Sequence, residues 1–71
     1  MTQTTQRNYV LIGYRLENKL KQREFAEKLG ISQGLLSQFE KGTKNPSFQL
    51  AKEISNFIGV DIGLVFPKYQ L

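Results

Sequence analysis

The chain has no cysteine, no histidine and no tryptophan, and only two prolines and one methionine among its 71 residues. Without cysteine no disulfide can staple the fold, so a small apolar core must hold it, near the lower size at which one domain manages alone. Without cysteine and histidine the common zinc sites are excluded, as are triads and proton relays that need an imidazole. Six carboxylates remain: Glu17, Glu24, Glu27, Glu40, Glu53 and Asp61. Their spacing forms no oxygen-ligand loop of the EF-hand kind, and there is no glycine-rich phosphate loop. These absences argue against an enzyme and against a bound metal or cofactor. No apolar run approaches the ~18 residues that a membrane span needs. The start, MTQTTQRNYV, lacks the basic and long apolar regions of a secretory signal. The expectation is one domain working in the cytoplasm, with no membrane partner.

What the chain does have is positive charge. Ten Lys and Arg against six Asp and Glu leave a net charge of +4, which favours a polyanionic partner such as nucleic acid. An excess of this size also occurs on ordinary soluble surfaces, so the pattern along the chain has to decide.

The tract MTQTTQR is polar and aperiodic, and residues 1–8 are expected as a flexible arm. From Tyr9 to Leu20, Val10, Leu11, Tyr14 and Leu20 fall loosely at helical spacing, with Gly13 weakening the helix by about 1 kcal/mol relative to alanine. A second helix, about Gln22 to Leu29, carries Phe25, Ala26 and Leu29 on one face, and Gly30 ends it. Ser32 is a good N-cap for a third helix reaching Glu40 or Lys41. KGTKNPS at 41–47 is a loop by composition. The fourth helix, about Ser47 to Ile58, is the most amphipathic, with Leu50, Ala51, Ile54, Phe57 and Ile58 on one side. Gly59 stops it, Asp61 caps a last short helix, and Pro67 ends that one. The fold class is therefore all-α, with five helices in one domain at 9–66 and a tail at 67–71.

The third helix separates two kinds of surface. At ~100° per residue, Leu35, Leu36 and Phe39 fall within one arc that must face the core. Gln33, Gly34, Ser37, Gln38 and Lys41 span the opposite arc, where a merely solvated helix would more often carry Glu/Lys pairs. Glutamine can bond bidentately to adenine N6 and N7, and serine can donate or accept at several base edges. Gly34 sacrifices helix propensity, which suits a close approach of the backbone to another molecule or is simply drift. Lys41, Thr43, Lys44 and Asn45 follow within five residues and could grip phosphates. Gln22 and Arg23 stand at the anion-attracting start of the second helix and could reach the same backbone.

The run RLENKLKQREFAEKLGISQGLLSQFEKGTKNPS resembles the Cro/C1-type helix-turn-helix domain, also called the XRE family. The resemblance covers about Leu11 to Phe66. It rests on Arg15, Leu20, Gln22, Phe25-Ala26, Leu29-Gly30-Ile31-Ser32, Leu36-Ser37, Phe39-Glu40, Gly42, Asn45-Pro46-Ser47 and Gly59-Val60 taken together. It implies a compact five-helix fold whose helix-turn-helix unit is 22–41 and whose recognition helix is 32–41. Carried over position by position, Gln22 bonds a phosphate, while Gln33, Gly34, Ser37 and Gln38 lie against base edges with Ser32 at the groove rim. Lys41, Thr43, Lys44 and Asn45 then meet the opposite flank of the DNA backbone, and Arg15 and Glu40 form an internal salt bridge.

The implied partner is a double-stranded DNA operator, bound by a homodimer with half-sites about 34 Å apart. The apolar tail residues Leu64, Val65, Phe66, Tyr69 and Leu71 are the candidate self-association surface, unless Leu64 and Val65 only complete the core. The resemblance points to a repressor of a phage or mobile element in a bacterial cell. The competing readings are an anti-repressor or modulator that binds another regulator protein, and an autoregulatory antitoxin. Two positions depart from the family pattern: Lys21 stands where a serine or threonine usually caps the second helix, and Gly34 where a reading side chain is common.

Overall fold

Four of the five helices start at a short polar side chain that accepts a hydrogen bond from the first turn. The fold is that of a computed structural model, which describes residues 7–70; most of the expected arm, residues 1–6, and Leu71 lie outside the described residues. The helices are α1 (Tyr9–Glu17), α2 (Gln22–Leu29), α3 (Gln33–Lys41), α4 (Phe48–Ile58) and α5 (Ile62–Val65), followed by a 3-10 turn at Pro67–Tyr69. No strand is present among the described residues. Asn8, Ser32, Ser47 and Asp61 cap α1, α3, α4 and α5, at 3.1 to 3.2 Å from a main-chain N–H.

α2 is the exception, because the Lys21 ammonium has no lone pair with which to accept. Glu24 reaches back instead and takes the Lys21 N–H at 2.7 Å, so half of a capping box survives where the serine or threonine is missing. α2 ends at Gly30, whose φ of 74° is a conformation that a side chain disfavours. The Gly30 N–H donates to Glu27 O and the Ile31 N–H to Ala26 O, closing a Schellman turn that redirects the chain sharply into α3.

Two ends depart from the periodicity. Helical spacing continues to Leu20, but α1 stops at Glu17. The Asn18 main-chain N–H and its side-chain amide both turn onto Tyr14 O, and Lys19 then adopts φ 55° without being glycine. Leu20 still reaches the core, through a turn rather than along a helix. Pro67 does not simply end α5. It opens the 3-10 turn, where its missing N–H costs nothing.

The core is Leu11, Phe25, Ala26, Leu36, Phe39, Ala51, Ile54, Ile58, Val65 and Phe66. Val65 and Phe66, candidates for a self-association surface, are each 1% exposed and cannot meet a partner; Val65 takes its alternative place in the core, and Phe66 joins it there. The physical reason is the brevity of α5: a single turn can close the core on one side only, and the Phe66 ring meets Phe39 edge-on at 6.3 Å. Leu64, 64% exposed, is what α5 turns outward. Phe57 sits at the rim of the core, half-exposed, with its ring against Tyr14 and Phe25.

Ser55 is buried within α4, and its hydroxyl has no hydrogen-bond partner. Ser55→Ala removes an unsatisfied polar group at no cost in packing volume, so it should stabilise the fold by about 1 kcal/mol. Urea denaturation reads this directly, and a loss of similar size would show that the hydroxyl is bonded after all.

Candidate nucleic-acid interface

A chain of side-chain contacts runs from the interior to the exposed end of α3. Arg15, on α1, donates Nε to Glu40 Oε2 at 2.8 Å and Nη2 to Glu40 Oε1 at 3.2 Å, while its Nη1 reaches Leu20 O at 3.2 Å. The side chains are 17% and 4% exposed. Gln22, the first residue of α2, donates Nε2 to the same Glu40 Oε1 at 3.0 Å. Gln33, the first residue of α3, then donates Nε2 to Gln22 Oε1 at 3.5 Å, a long contact at the surface. One buried carboxylate thus ties α1, α2 and α3 together. Removing either member of such a pair leaves an uncompensated charge, at a cost of ~3–5 kcal/mol.

This arrangement alters the part assigned to Gln22. One of its two amide N–H groups is held by Glu40 and its oxygen faces Gln33, so a single N–H remains for a phosphate. Gln33 keeps its own oxygen and one N–H, the donor and acceptor pair that matches adenine N7 and N6. Gln33, Gly34, Gln38 and Lys41 are exposed and Ser37 is half-buried, while Leu36 and Phe39 lie beneath them in the core. A Cβ built on Gly34 would meet nothing within 4 Å. The chain's own packing therefore does not require glycine there. Ser32 is exposed beside Gln33 and spends a lone pair on capping α3, which leaves its hydroxyl proton available.

The loop after α3 is more organised than its composition suggests. Thr43 turns both of its donors, the main-chain N–H at 3.1 Å and the hydroxyl at 3.3 Å, onto the Gln38 carbonyl. It caps the end of α3, which corrects the expectation of a free phosphate donor. Lys41, Lys44 and Asn45 are exposed. Pro46 is buried, and its carbonyl accepts the Tyr69 hydroxyl at 2.6 Å. The Tyr69 ring also packs edge-on against Phe48 at 5.5 Å. Tyr69 thus braces this loop from the C-terminal turn, a second correction to the self-association set. Arg23 is 79% exposed, with Glu27 one turn away at 3.7 Å, an ion pair of little energetic consequence. Asn8 is the structural residue that was missed. It stands just before an apolar-periodic run, which is the signal for an N-cap.

The helix-turn-helix family model matches residues 11–65. The chain belongs to the XRE-type helix-turn-helix family. An uncharacterized HTH-type transcriptional regulator of Methanocaldococcus jannaschii is 42% identical to it over 53 residues, which cover 75% of this chain and 80% of that protein. No solved structure gives a match. In this XRE-type domain the matched span contains Arg15, Gln22, Gln33 and Glu40, whereas Arg7, Asn8 and Tyr69 fall outside it. No helix among the described residues is long and apolar enough to cross a membrane.

Because Gly34 faces open space from a helical position, Gly34→Ala should raise the stability of the free protein by about 1 kcal/mol, measured by urea denaturation. A destabilised variant would show that the backbone at this position is constrained in some way other than helix propensity.

Proposed function

We propose that the chain is a sequence-specific transcriptional regulator that reads the major groove of double-stranded DNA with α3. The observation that carries this reading is the outer face of α3, where Gln33, Ser37 and Gln38 share their side of the helix with no carboxylate and the helix's first residue contacts Gln22 and, through it, the buried Arg15–Glu40 pair. Base edges are read by donors and acceptors held in fixed positions, and phosphates are gripped by cations and amides beside them. Gln33 and Gln38 supply the first, with Ser37 and the open backbone at Gly34 between them. Lys41, Lys44, Asn45, Ser32, Arg23 and the remaining Gln22 N–H supply the second.

Regulation in this reading is repression, by a pair of copies that occupy a palindromic operator and exclude other proteins from it. Leu64 is the apolar residue of α5 available for contact between the copies. The Cro-type resemblance supports an operator that belongs to a phage or mobile element. An anti-repressor or an antitoxin that worked through a protein partner alone would have no need of an amide-bearing, acid-free face on α3. For that reason the DNA reading is preferred.

An operator selected from a random duplex library tests the assignment. Gln33→Ala or Gln38→Ala should cost ~1–3 kcal/mol on the selected site and little on random DNA. Lys44→Ala should weaken binding to both alike and reduce the salt slope by about one. Equal losses on every sequence for the glutamine variants would remove them from base reading.

A further inference from the structure

Asn8 is bonded to three elements at once. Its main-chain N–H donates to Glu40 O at 2.8 Å, in the last turn of α3. Its side-chain amide donates to Val65 O at 2.8 Å, at the end of α5. Its side-chain oxygen accepts the Leu11 N–H at 3.1 Å and caps α1. Position 8 is thereby fixed against the end of the recognition helix, and Arg7 lies only about 3.8 Å further along the backbone. Arg7 is exposed, and with Gly42 and Asn45 it lines a groove of about 310 Å³ that Tyr9, Leu64 and Pro67 also border. The segment entering α1 and the loop leaving α3 are therefore neighbours in space, although more than thirty residues separate them in sequence.

The electrostatics of this corner are one-sided. Lys41, the last residue of α3, and Lys44, in the loop, are exposed and are the sequence neighbours of Gly42 and Asn45, which share the groove with Arg7. The carboxylate closest to them in sequence, Glu40, is buried and held by Arg15, so it does not neutralise them. Among the described residues no carboxylate lies within ion-pair distance of Arg7. Cations gathered without a counter-charge repel one another and make a favourable place for an external anion. A guanidinium presents a planar fork that fits a phosphate in bidentate fashion. Because Asn8 already holds the backbone, little further ordering is needed to place it.

We propose that Arg7 is a DNA-backbone contact, binding a phosphate next to those met by Lys41, Lys44 and Asn45. The inference rests on the DNA reading above and extends the interface to a residue that lies outside the family-matched span. In effect the N-terminal strap and the loop after α3 form one phosphate-binding ridge.

Binding of the full chain to a fluorescently labelled random-sequence duplex, followed by anisotropy across a salt series, tests this. Arg7→Gln should weaken binding several-fold at low salt and reduce the salt slope by about one, by the same amount on random DNA and on the selected operator. Arg7→Lys should retain the slope. The thermal midpoint of both variants should match the parent, since Arg7 is exposed and holds no internal hydrogen bond through its side chain among the described residues. If Lys44→Ala lowers the slope and Arg7→Gln leaves it at the parental value, Arg7 is no phosphate contact and the DNA reading stands without it. If the parent protein itself binds no duplex at low salt, the DNA reading fails and the proposal fails with it.

Discussion

Glu40 is 3% exposed in the last turn of α3, and a carboxylate is tolerable there only because Arg15 meets it. Taking two charges out of water costs several kcal/mol per ion, and a negative charge near a helix C-terminus is disfavoured further by the helix dipole. The offset is geometric. Two guanidinium bonds and the Gln22 amide satisfy the carboxylate, and the Arg15 bond to Leu20 O satisfies the guanidinium. Because these partners come from α1, from the turn after it and from α2, the pair can be satisfied only in one mutual arrangement of the first three helices. The apolar core supplies the bulk of the stability, and the ion pair selects the geometry.

The proposed reading surface depends on that geometry. α3 enters from a Schellman turn at Gly30, leaves through Gly42, and is capped at its two ends by Ser32 and Thr43. Its amides therefore project from a helix with little freedom to roll or fray. The loop that follows is held by the Tyr69 hydroxyl on Pro46 O, and the segment before α1 by Asn8 on Glu40 O. The two ends of the described chain thus brace the C-terminal end of α3 and the loop that follows it. A regulator built this way recognises DNA with little ordering at the moment of binding, which spares affinity otherwise lost to entropy.

The boundaries of α2, α3 and α4 were legible because local signals set them: serine caps, glycine stops and apolar residues at helical spacing. The end of α1 was not, because Lys19 takes a left-handed turn without glycine and Asn18 captures the Tyr14 carbonyl. The tail stays ambiguous in sequence for a different reason, with Val65 open between a contact between copies and the core. Val65 and Phe66 look like surplus apolar residues in sequence, and only the docking of a one-turn helix decides that they close the core. At the interface, residue types and face were readable from periodicity, whereas side-chain partners were not. Gln22 is partly engaged by Glu40, Thr43 is spent on Gln38, and Tyr69 supports the loop, each through a contact that joins separate elements or turns back on a helix end.

In the proposed reading the buried Arg15–Glu40 pair and the Gln33 amide act as one unit, joined through Gln22. A double-mutant cycle combining Glu40→Gln with Gln33→Ala, read as binding free energy on the selected operator, tests this most directly. A glutamine at position 40 offers one acceptor oxygen where the carboxylate uses two, so it loosens Arg15 and Gln22 while nearly preserving shape. A coupling energy above about 0.5 kcal/mol is expected, because Gln33 loses much of its advantage once its support is disturbed. Losses that add to within about 0.3 kcal/mol would contradict it, and would reduce the Arg15–Glu40 pair to a scaffold element with no share in reading DNA.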